Sequence, residues 1–190
     1  QSSAASQGER EEEMSSRENY QPGPAAGAEV RKDGENWTLV LVRELRHPPT
    51  KVWQALTDPA QLREWAPFDA DRSLASAGTV KLTTVSAPTP QVSETIVKRA
   101  EAPKLLQYSW GDMDLKWQLE PLGKGTRLTL WHNIDRRYIS WGAAGWHICF
   151  DVLDRFLAGE PIGRMVGMET MKFEGWQRLQ REYAKQFDAS

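Results

Sequence analysis

Hydrophobic and polar residues alternate along several short segments in the middle of the chain, a pattern typical of β-strands with one covered face. In the stretch DMDLKWQLE, Met113, Leu115, Trp117 and Leu119 share one face, and charged or amide side chains occupy the other. The other strand candidates are NWTLVLVRELRH, which begins at Asn36, and then GTVKLTTV, PQVSETIVKRA, KLLQYSW and TRLTLWHN. Segments rich in glycine, proline and polar residues separate them. The pattern predicts an antiparallel meander whose apolar face is covered by another element.

Helical periodicity appears on both sides of this meander. Before it, KVWQALTD and PAQLREW predict two small helices, and a proline marks the start of each. After it, the segment from Ala143 to Leu157 has an apolar stripe broad enough to cover a sheet. A last periodic segment, from Met168 to Phe187, predicts an additional C-terminal helix. The stripe of the covering helix consists of Trp146, Cys149, Phe150, Leu153 and Leu157.

The first thirty residues have a different composition. QSSAASQGEREEEMSSRENYQPGPAAGAE contains almost no aliphatic side chain, so it offers little surface whose burial would offset the entropy lost on ordering. We therefore expect a disordered N-terminal tail over residues 1–30 and a single domain over residues 31–190. The sequence leaves open whether the residues before Met14 are native.

Composition narrows the classes of partner and cofactor. The 190 residues carry 24 Lys and Arg against 26 Asp and Glu, so the chain lacks the positive field that gathers nucleic acid or an anionic membrane. A single cysteine forms no internal disulfide, and one cysteine with three histidines does not supply a Cys-rich zinc site. No apolar run reaches the roughly 20 residues of a membrane span. We expect a cytoplasmic protein with no cofactor, no metal, no nucleic-acid partner and no membrane insertion.

His147, Cys149 and Asp151 are the residue types of a nucleophilic cysteine site, and they lie within five residues of each other. On a helix, however, positions 147 and 149 point to nearly opposite sides, so these side chains cannot share a proton. Positions 147 and 151 are four residues apart and can pair on the polar face. The spacing predicts a buried core cysteine beside a polar pair, and we assign no catalytic residue.

The order of the motifs resembles a known family. A strand is followed by VWQALTDPAQLREWAP, then by a meander ending in LGKGTRLTLWH, and then by AAGWHICFDVLDRFLAG, so the likeness covers Trp37 to Glu160. This set is similar to the START-like or SRPBCC superfamily, in the branch homologous to the activator of the heat-shock chaperone ATPase. The resemblance implies an α+β helix-grip fold, in which a curved antiparallel sheet wraps around a long C-terminal helix and leaves an apolar cavity. Two small helices follow the first strand, and residues 164–187 add a helix beyond this pattern.

The large aromatic residues provide candidates for the wall of such a cavity. The chain has nine tryptophans, and rings of this size build either a core or a ligand site. His132 shares a strand face with Leu128 and Leu130, which would bring a titratable ring to an apolar wall. A general base at this position would require a partner acid that the sequence does not identify. The predicted ligand-binding residues are Trp65, Tyr108, Trp117, Leu130, His132, Trp146, Phe150 and Leu153.

The resemblance, together with the aromatic residues, implies non-covalent binding of a hydrophobic or aromatic small molecule, of lipid or polyketide type, in an internal cavity. One alternative is a cavity enzyme of cyclase or hydrolase type that uses His132 with a tyrosine or a water molecule. Another is a co-chaperone-like interaction module, although a chaperone partner is less favoured. A hollow interior favours the first two functions, whereas a filled interior with an exposed apolar patch favours the third.

Overall fold

The structure, a computed structural model, describes Gly8 and residues 17–86 and 89–188. Its strands are β1 (Ala28–Asp33), β2 (Asn36–Leu45), β3 (Phe68–Ala70), β4 (Gly78–Thr84), β5 (Gln91–Val97), β6 (Arg99–Glu101), β7 (Leu105–Trp110), β8 (Met113–Leu122) and β9 (Gly125–Asn133). Its helices are α1 (Pro49–Thr57), α2 (Pro59–Trp65), α3 (Ile139–Leu157), α4 (Gly167–Met171) and α5 (Glu174–Asp188). A short 3-10 turn, Arg136–Tyr138, leads into α3.

The strands form two antiparallel sheets that join into one curved wall. The larger sheet has the order β1-β2-β9-β8-β7-β6, and the smaller one has the order β3-β4-β5. Hydrogen bonds connect the two sheets. The Ser109 amide of β7 donates to Thr95 Oγ1 of β5 at 2.9 Å, and the Lys98 amide, just after β5, donates to the Gln107 carbonyl of β7 at 2.9 Å. A sheet bent in this way presents a concave inner face to the rest of the chain.

Helix α3 packs on that inner face. The Trp117 ring of β8 lies 5.4 Å from the Trp146 ring and 6.1 Å from the Phe150 ring of the helix, measured between ring centroids. The alternation predicted for β8 is present, since Leu115, Trp117 and Leu119 are buried. The predicted α+β helix-grip fold is therefore confirmed, including the two small helices after the first long strand and the added helix α5.

The strand predictions miss two elements and merge two others. Strand β1 has the sequence AEVRKD and pairs only with β2 at the sheet edge, so most of its side chains remain exposed and give no hydrophobic pattern. Strand β3 has only three residues. The segment predicted as one strand from Pro90 to Ala100 divides at Lys98, where the chain leaves β5 and enters β6.

The N-terminal segment differs from the expected tail over residues 17–30. Tyr20 is 2 % exposed, its hydroxyl donates to Asp151, and its ring stacks 6.0 Å from Phe173. The Ala26 carbonyl accepts from the Tyr183 hydroxyl at 3.0 Å, and β1 begins at Ala28. One aromatic anchor and backbone hydrogen bonds thus hold a segment that has few aliphatic residues. The rest of the predicted tail, residues 1–7 and 9–16 with Met14, lies outside the described residues.

Candidate functional site

A cleft of about 660 Å³ opens beside the N-terminal half of α3. Its walls come from the end of β9, the turn between β7 and β8, the first half of α3, and the chain around α4. These segments are far apart in the sequence, so the cleft forms only when the sheet closes on the helix.

Aromatic and thioether side chains dominate the walls of the cleft. Four of the five methionines in the chain line it, and they come from two different segments. Methionine is flexible and polarizable, so it adapts to ligands of different shape. The surface is therefore apolar but deformable. Its aromatic members are Trp110, Tyr138, Trp141, Trp146 and Trp176, and its methionines are Met113, Met165, Met168 and Met171.

The β7–β8 turn positions one wall. Trp110 and Met113 pair across this turn, which leaves Gly111 and Asp112 as its two loop residues. Gly111 has a φ of 61°, a left-handed conformation that glycine adopts without steric cost. The Trp110 indole N–H donates to Thr84 Oγ1 at 2.8 Å, which fixes the ring against the smaller sheet. The tight turn thus places an indole and a thioether in the wall of the cleft.

Arg164 anchors the opposite wall. Its Nε donates to the Arg63 carbonyl at 2.7 Å, and its Nη2 donates to Asp69 Oδ1 at 2.5 Å and to the Leu62 carbonyl at 3.2 Å. These bonds tie the segment that precedes α4 to helix α2 and strand β3. Arg164 therefore fixes the start of the segment that carries Met165, Met168 and Met171 to the rest of the domain.

Two glycines on α3 have different surroundings. A Cβ atom added to Gly142 would lie 3.0 Å from Ile134 Cδ1, so that position is tightly packed. A Cβ atom added to Gly145 would meet no atom within 4 Å, although Gly145 belongs to the lining of the cleft. The missing side chain at position 145 therefore contributes directly to the open volume.

His132 is the most buried polar side chain in the cleft, with 1 % of its surface exposed. Its Nδ1 lies 3.0 Å from the indole Nε1 of Trp146. An indole nitrogen only donates, so Nδ1 must be the accepting, unprotonated nitrogen of the imidazole. The other nitrogen, Nε2, lies 3.1 Å from the Met113 sulfur.

Burial determines the charge of this imidazole. Removal from water lowers the pKa of His132 from 6.5 to about 4, so the ring is neutral near pH 7. Within residues 17–86 and 89–188, its side-chain hydrogen-bond partners are Trp146 and Met113, and no carboxylate bonds to it. A neutral imidazole whose free nitrogen already accepts a hydrogen bond is poorly suited to remove a proton from a substrate.

A family comparison places this cleft in context. The model of the family described as polyketide cyclase / dehydrase and lipid transport matches residues 21–181. The chain belongs to this family. The match lies within the SRPBCC superfamily, so the resemblance found in the sequence is confirmed. No curated protein matches the chain.

Solved structures similar to this family member share its fold. CalU16 from Micromonospora echinospora matches with a TM-score of 0.59 and 22% identity over 86% of this chain and 96% of its own. A conserved protein of unknown function from Enterococcus faecalis, EF2215, has a TM-score of 0.61 and 13% identity over 94% of this chain and 96% of its own. An AHSA1-like protein from Aeromonas hydrophila has a TM-score of 0.54 and 16% identity over 64% of this chain and 92% of its own.

Of the eight residues predicted from the sequence as ligand-binding, His132 and Trp146 line the cleft. The others fill the interior between the sheet and α3, and none of them is more than 2 % exposed. Their rings interlock where a hollow was expected: Trp65 and Trp117 meet edge to face at 6.0 Å, and the Trp117 indole donates to the Tyr108 hydroxyl at 3.2 Å. The residues outside the cleft lining are Trp65, Tyr108, Trp117, Leu130, Phe150 and Leu153.

The walls formed by α4 and by the start of α3 were not predicted from the sequence. Met168 is 57 % exposed and Trp141 is 44 % exposed, so both sit at the mouth of the cleft. The available signal was the cluster of three methionines after Arg164, which is equally compatible with core packing. Only the proximity of this cluster to Trp141 in the folded chain distinguishes the two interpretations.

The residues that suggested a nucleophile occupy separate environments. Cys149 is buried, and burial raises the pKa of its thiol to about 12, so the thiolate is not populated at neutral pH. His147 Nε2 lies 3.7 Å from Asp151 Oδ2, which matches the polar pair predicted from their spacing. Cys149 also contributes to the cleft wall, a position that the spacing did not predict.

The described residues contain neither a metal-ligand cluster nor a membrane-spanning helix. No group of three or more His, Cys, Asp or Glu side chains within them could hold a metal ion. None of the helices in the same part of the chain is long and apolar enough to cross a membrane.

Proposed function

We propose that this member of the family binds an uncharged hydrophobic or aromatic small molecule non-covalently in the cleft beside α3. The observation that carries the proposal is the wall itself, which combines five aromatic rings with four methionines around one neutral histidine. Such a surface offers large apolar contact area and few polar groups, as ligand sites commonly do.

The size of the cleft also supports a small ligand. Its volume of about 660 Å³ falls within the roughly 300–1,000 Å³ typical of small-molecule pockets. The cleft is open at one side, where Trp141 and Met168 are exposed. A ligand could therefore enter without rearrangement of the sheet, while the flexible methionines close around it.

The chemistry of the lining groups supports binding more than catalysis. The Cys149 thiol has a pKa of about 12 and the His132 imidazole a pKa of about 4, so neither group is poised for nucleophilic attack or proton removal near pH 7. We infer that the site retains its ligand without changing it covalently.

Position 145 allows a direct test, because a side chain added there points into empty space. The neutral fluorescent probe N-phenyl-1-naphthylamine should bind wild-type protein saturably, with an increase in its emission. Gly145→Phe should weaken this binding by at least about tenfold, because the new ring occupies the cleft. Gly145→Ala should retain most of the affinity while stabilising α3 by up to about 1 kcal/mol.

Two controls separate loss of volume from loss of folding. Ala184→Phe adds the same ring to helix α5 outside the cleft lining and should leave probe affinity unchanged. Thermal denaturation should show that all three variants are folded. Equal affinity of wild type and Gly145→Phe, or binding that does not saturate, would contradict the proposal.

A further inference from the structure

The polar part of the ligand can be inferred from His132. We infer that His132 selects aromatic ligands that carry an uncharged hydrogen-bond acceptor, such as a ring carbonyl, by donating its Nε2–H to that oxygen. The inference deepens the proposed function and rests on it, because it names the chemistry that the same cleft recognises.

The hydrogen bond from Trp146 fixes which nitrogen of His132 carries the proton. Trp146 donates to Nδ1 at 3.0 Å and has no lone pair to offer in return, so the proton of the neutral ring must reside on Nε2. Trp146 thus sets the tautomer, and the imidazole offers one N–H donor that Trp146 does not use.

The Nε2–H group of His132 faces a weak hydrogen-bond acceptor. The Nε2 atom lies 3.1 Å from the thioether sulfur of Met113, which accepts hydrogen bonds only weakly. Met113 also lines the cleft, and its side chain is flexible. A ligand oxygen that displaces the sulfur would give His132 a stronger acceptor at little cost to the surrounding packing.

Neighbouring indole rings fix the direction in which His132 donates its hydrogen bond. The His132 ring lies 6.1 Å from Trp110 and 6.0 Å from Trp146, so two indoles restrict its orientation. These rings also supply the apolar surface on which an aromatic ligand would pack. The donor and the aromatic wall together specify a flat ligand with an acceptor near one edge.

The charge of the site defines the class further. The donor is a neutral imidazole, and no cation contacts it within the described residues. A carboxylate would lose its hydration here without gaining an ion pair. A purely hydrocarbon ligand has no hydrogen-bond acceptor, so the Nε2–H of His132 would keep only the weakly accepting Met113 sulfur as its partner. A carbonyl or ether oxygen avoids both penalties.

The experiment compares two probes that share one ring skeleton. Fluorene is a tricyclic hydrocarbon, and 9-fluorenone is the same skeleton with a carbonyl group. Their dissociation constants would be measured by quenching of tryptophan fluorescence and checked by equilibrium dialysis. The ratio of fluorenone affinity to fluorene affinity should be about 2- to 12-fold higher for wild type than for His132→Phe, the range expected for one net hydrogen bond.

The outcomes separate this inference from the proposed function. If neither probe binds wild type saturably, the proposed function is wrong and the inference falls with it. If both probes bind, but His132→Phe leaves the affinity ratio unchanged, the cleft binds aromatic molecules and only the assignment to His132 is wrong.

A second measurement uses wild type alone, because His132→Phe removes the acceptor of the Trp146 N–H and could destabilise the fold. In protein carrying ¹⁵N-labelled histidine, the ring-nitrogen shifts should show His132 protonated on Nε2 and unprotonated on Nδ1. Saturating fluorenone should shift the Nε2 signal, and saturating fluorene should shift it much less. Equal shifts, or a proton on Nδ1, would overturn the inference.

Discussion

The two halves of helix α3 have contrasting surroundings. In its C-terminal half, Phe150 and Leu153 are buried, and the Phe150 ring lies 6.1 Å from Trp117 of β8, which meets Trp65 of α2 edge to face. In its N-terminal half, Gly145 faces open space. One helix therefore serves as a core element at one end and as a wall of the cleft at the other.

The contrast shows that side-chain volume decides where this helix-grip fold is hollow. The same sheet and the same helix border both regions, so the backbone architecture does not distinguish them. Indole rings in mutual contact occupy one region, whereas a glycine and four methionine side chains border the open volume of the other. Exchanging volume between the two regions is the direct way to test this interpretation.

The largest expected effect is on the filled half. Trp117→Ala should lower the free energy of unfolding by about 3–5 kcal/mol, because Trp117 is fully buried and its removal leaves a cavity. Trp141→Ala, a matched substitution at the cleft mouth, should cost about 1 kcal/mol or less, since this ring is 44 % exposed. Chemical denaturation measures both values.

Affinity should show the opposite order. Trp141→Ala should weaken binding of N-phenyl-1-naphthylamine, whereas Trp117→Ala, if folded, should change it little because Trp117 is not part of the cleft lining. A Trp117 variant that loses the probe and keeps its stability would reverse the assignment of the two regions.

The next effect is on pH dependence. The pKa of His132 is about 4 in the folded protein, below its ordinary value of 6.5. Between these values the unfolded chain binds a proton that the folded chain does not, so stability falls as the pH falls. Because of this group, the free energy of unfolding of the wild type should be about 2–3 kcal/mol lower at pH 4.5 than at pH 7.

His132→Gln provides the control for this prediction. Glutamine offers a donor and an acceptor but does not titrate, so the variant should lose less stability between pH 7 and pH 4.5. Burial also lowers the pKa of His147, so His147 reduces stability at low pH in both the wild type and the variant. Urea denaturation at several pH values gives the difference, and identical pH profiles would contradict a buried neutral His132.

The smallest effect tests the polar support behind the filled half of α3. The Tyr20 hydroxyl donates to Asp151, which also accepts from Arg43 Nη1 at 2.5 Å. Tyr20→Phe should therefore cost about 1–2 kcal/mol by removing one of these donors.

Probe affinity indicates whether that support is separate from the cleft. Tyr20 and Asp151 are both outside the cleft lining, so Tyr20→Phe should bind N-phenyl-1-naphthylamine as wild type does. An unchanged melting temperature would mean that the hydrogen bond from Tyr20 to Asp151 adds nothing to stability. A changed affinity would mean that the two regions are coupled.

Local patterns predicted much of the fold. Alternate residues of β8 and residues three or four positions apart in α3 were each predicted to share one apolar face, and both faces are buried as expected. The edge strand β1 and the anchor Tyr20 were missed because the segments around them contain too few hydrophobic residues to produce a pattern. Strand β1 is held by backbone pairing with β2, and Tyr20 is held by Asp151, which lies 131 positions further along the chain.

The sequence alone predicted the main strands and helices, since periodicity is a property of neighbouring residues, and its resemblance to the START-like or SRPBCC superfamily implied their helix-grip arrangement. It also determined that a titratable ring, His132, would enter an apolar environment. The position of the open volume depends on tertiary packing, because that volume is the space left after side chains from distant segments have packed. The protonation of His132 was decided in the same way, by an indole 14 positions further along the chain that reaches Nδ1 only when α3 folds onto the sheet.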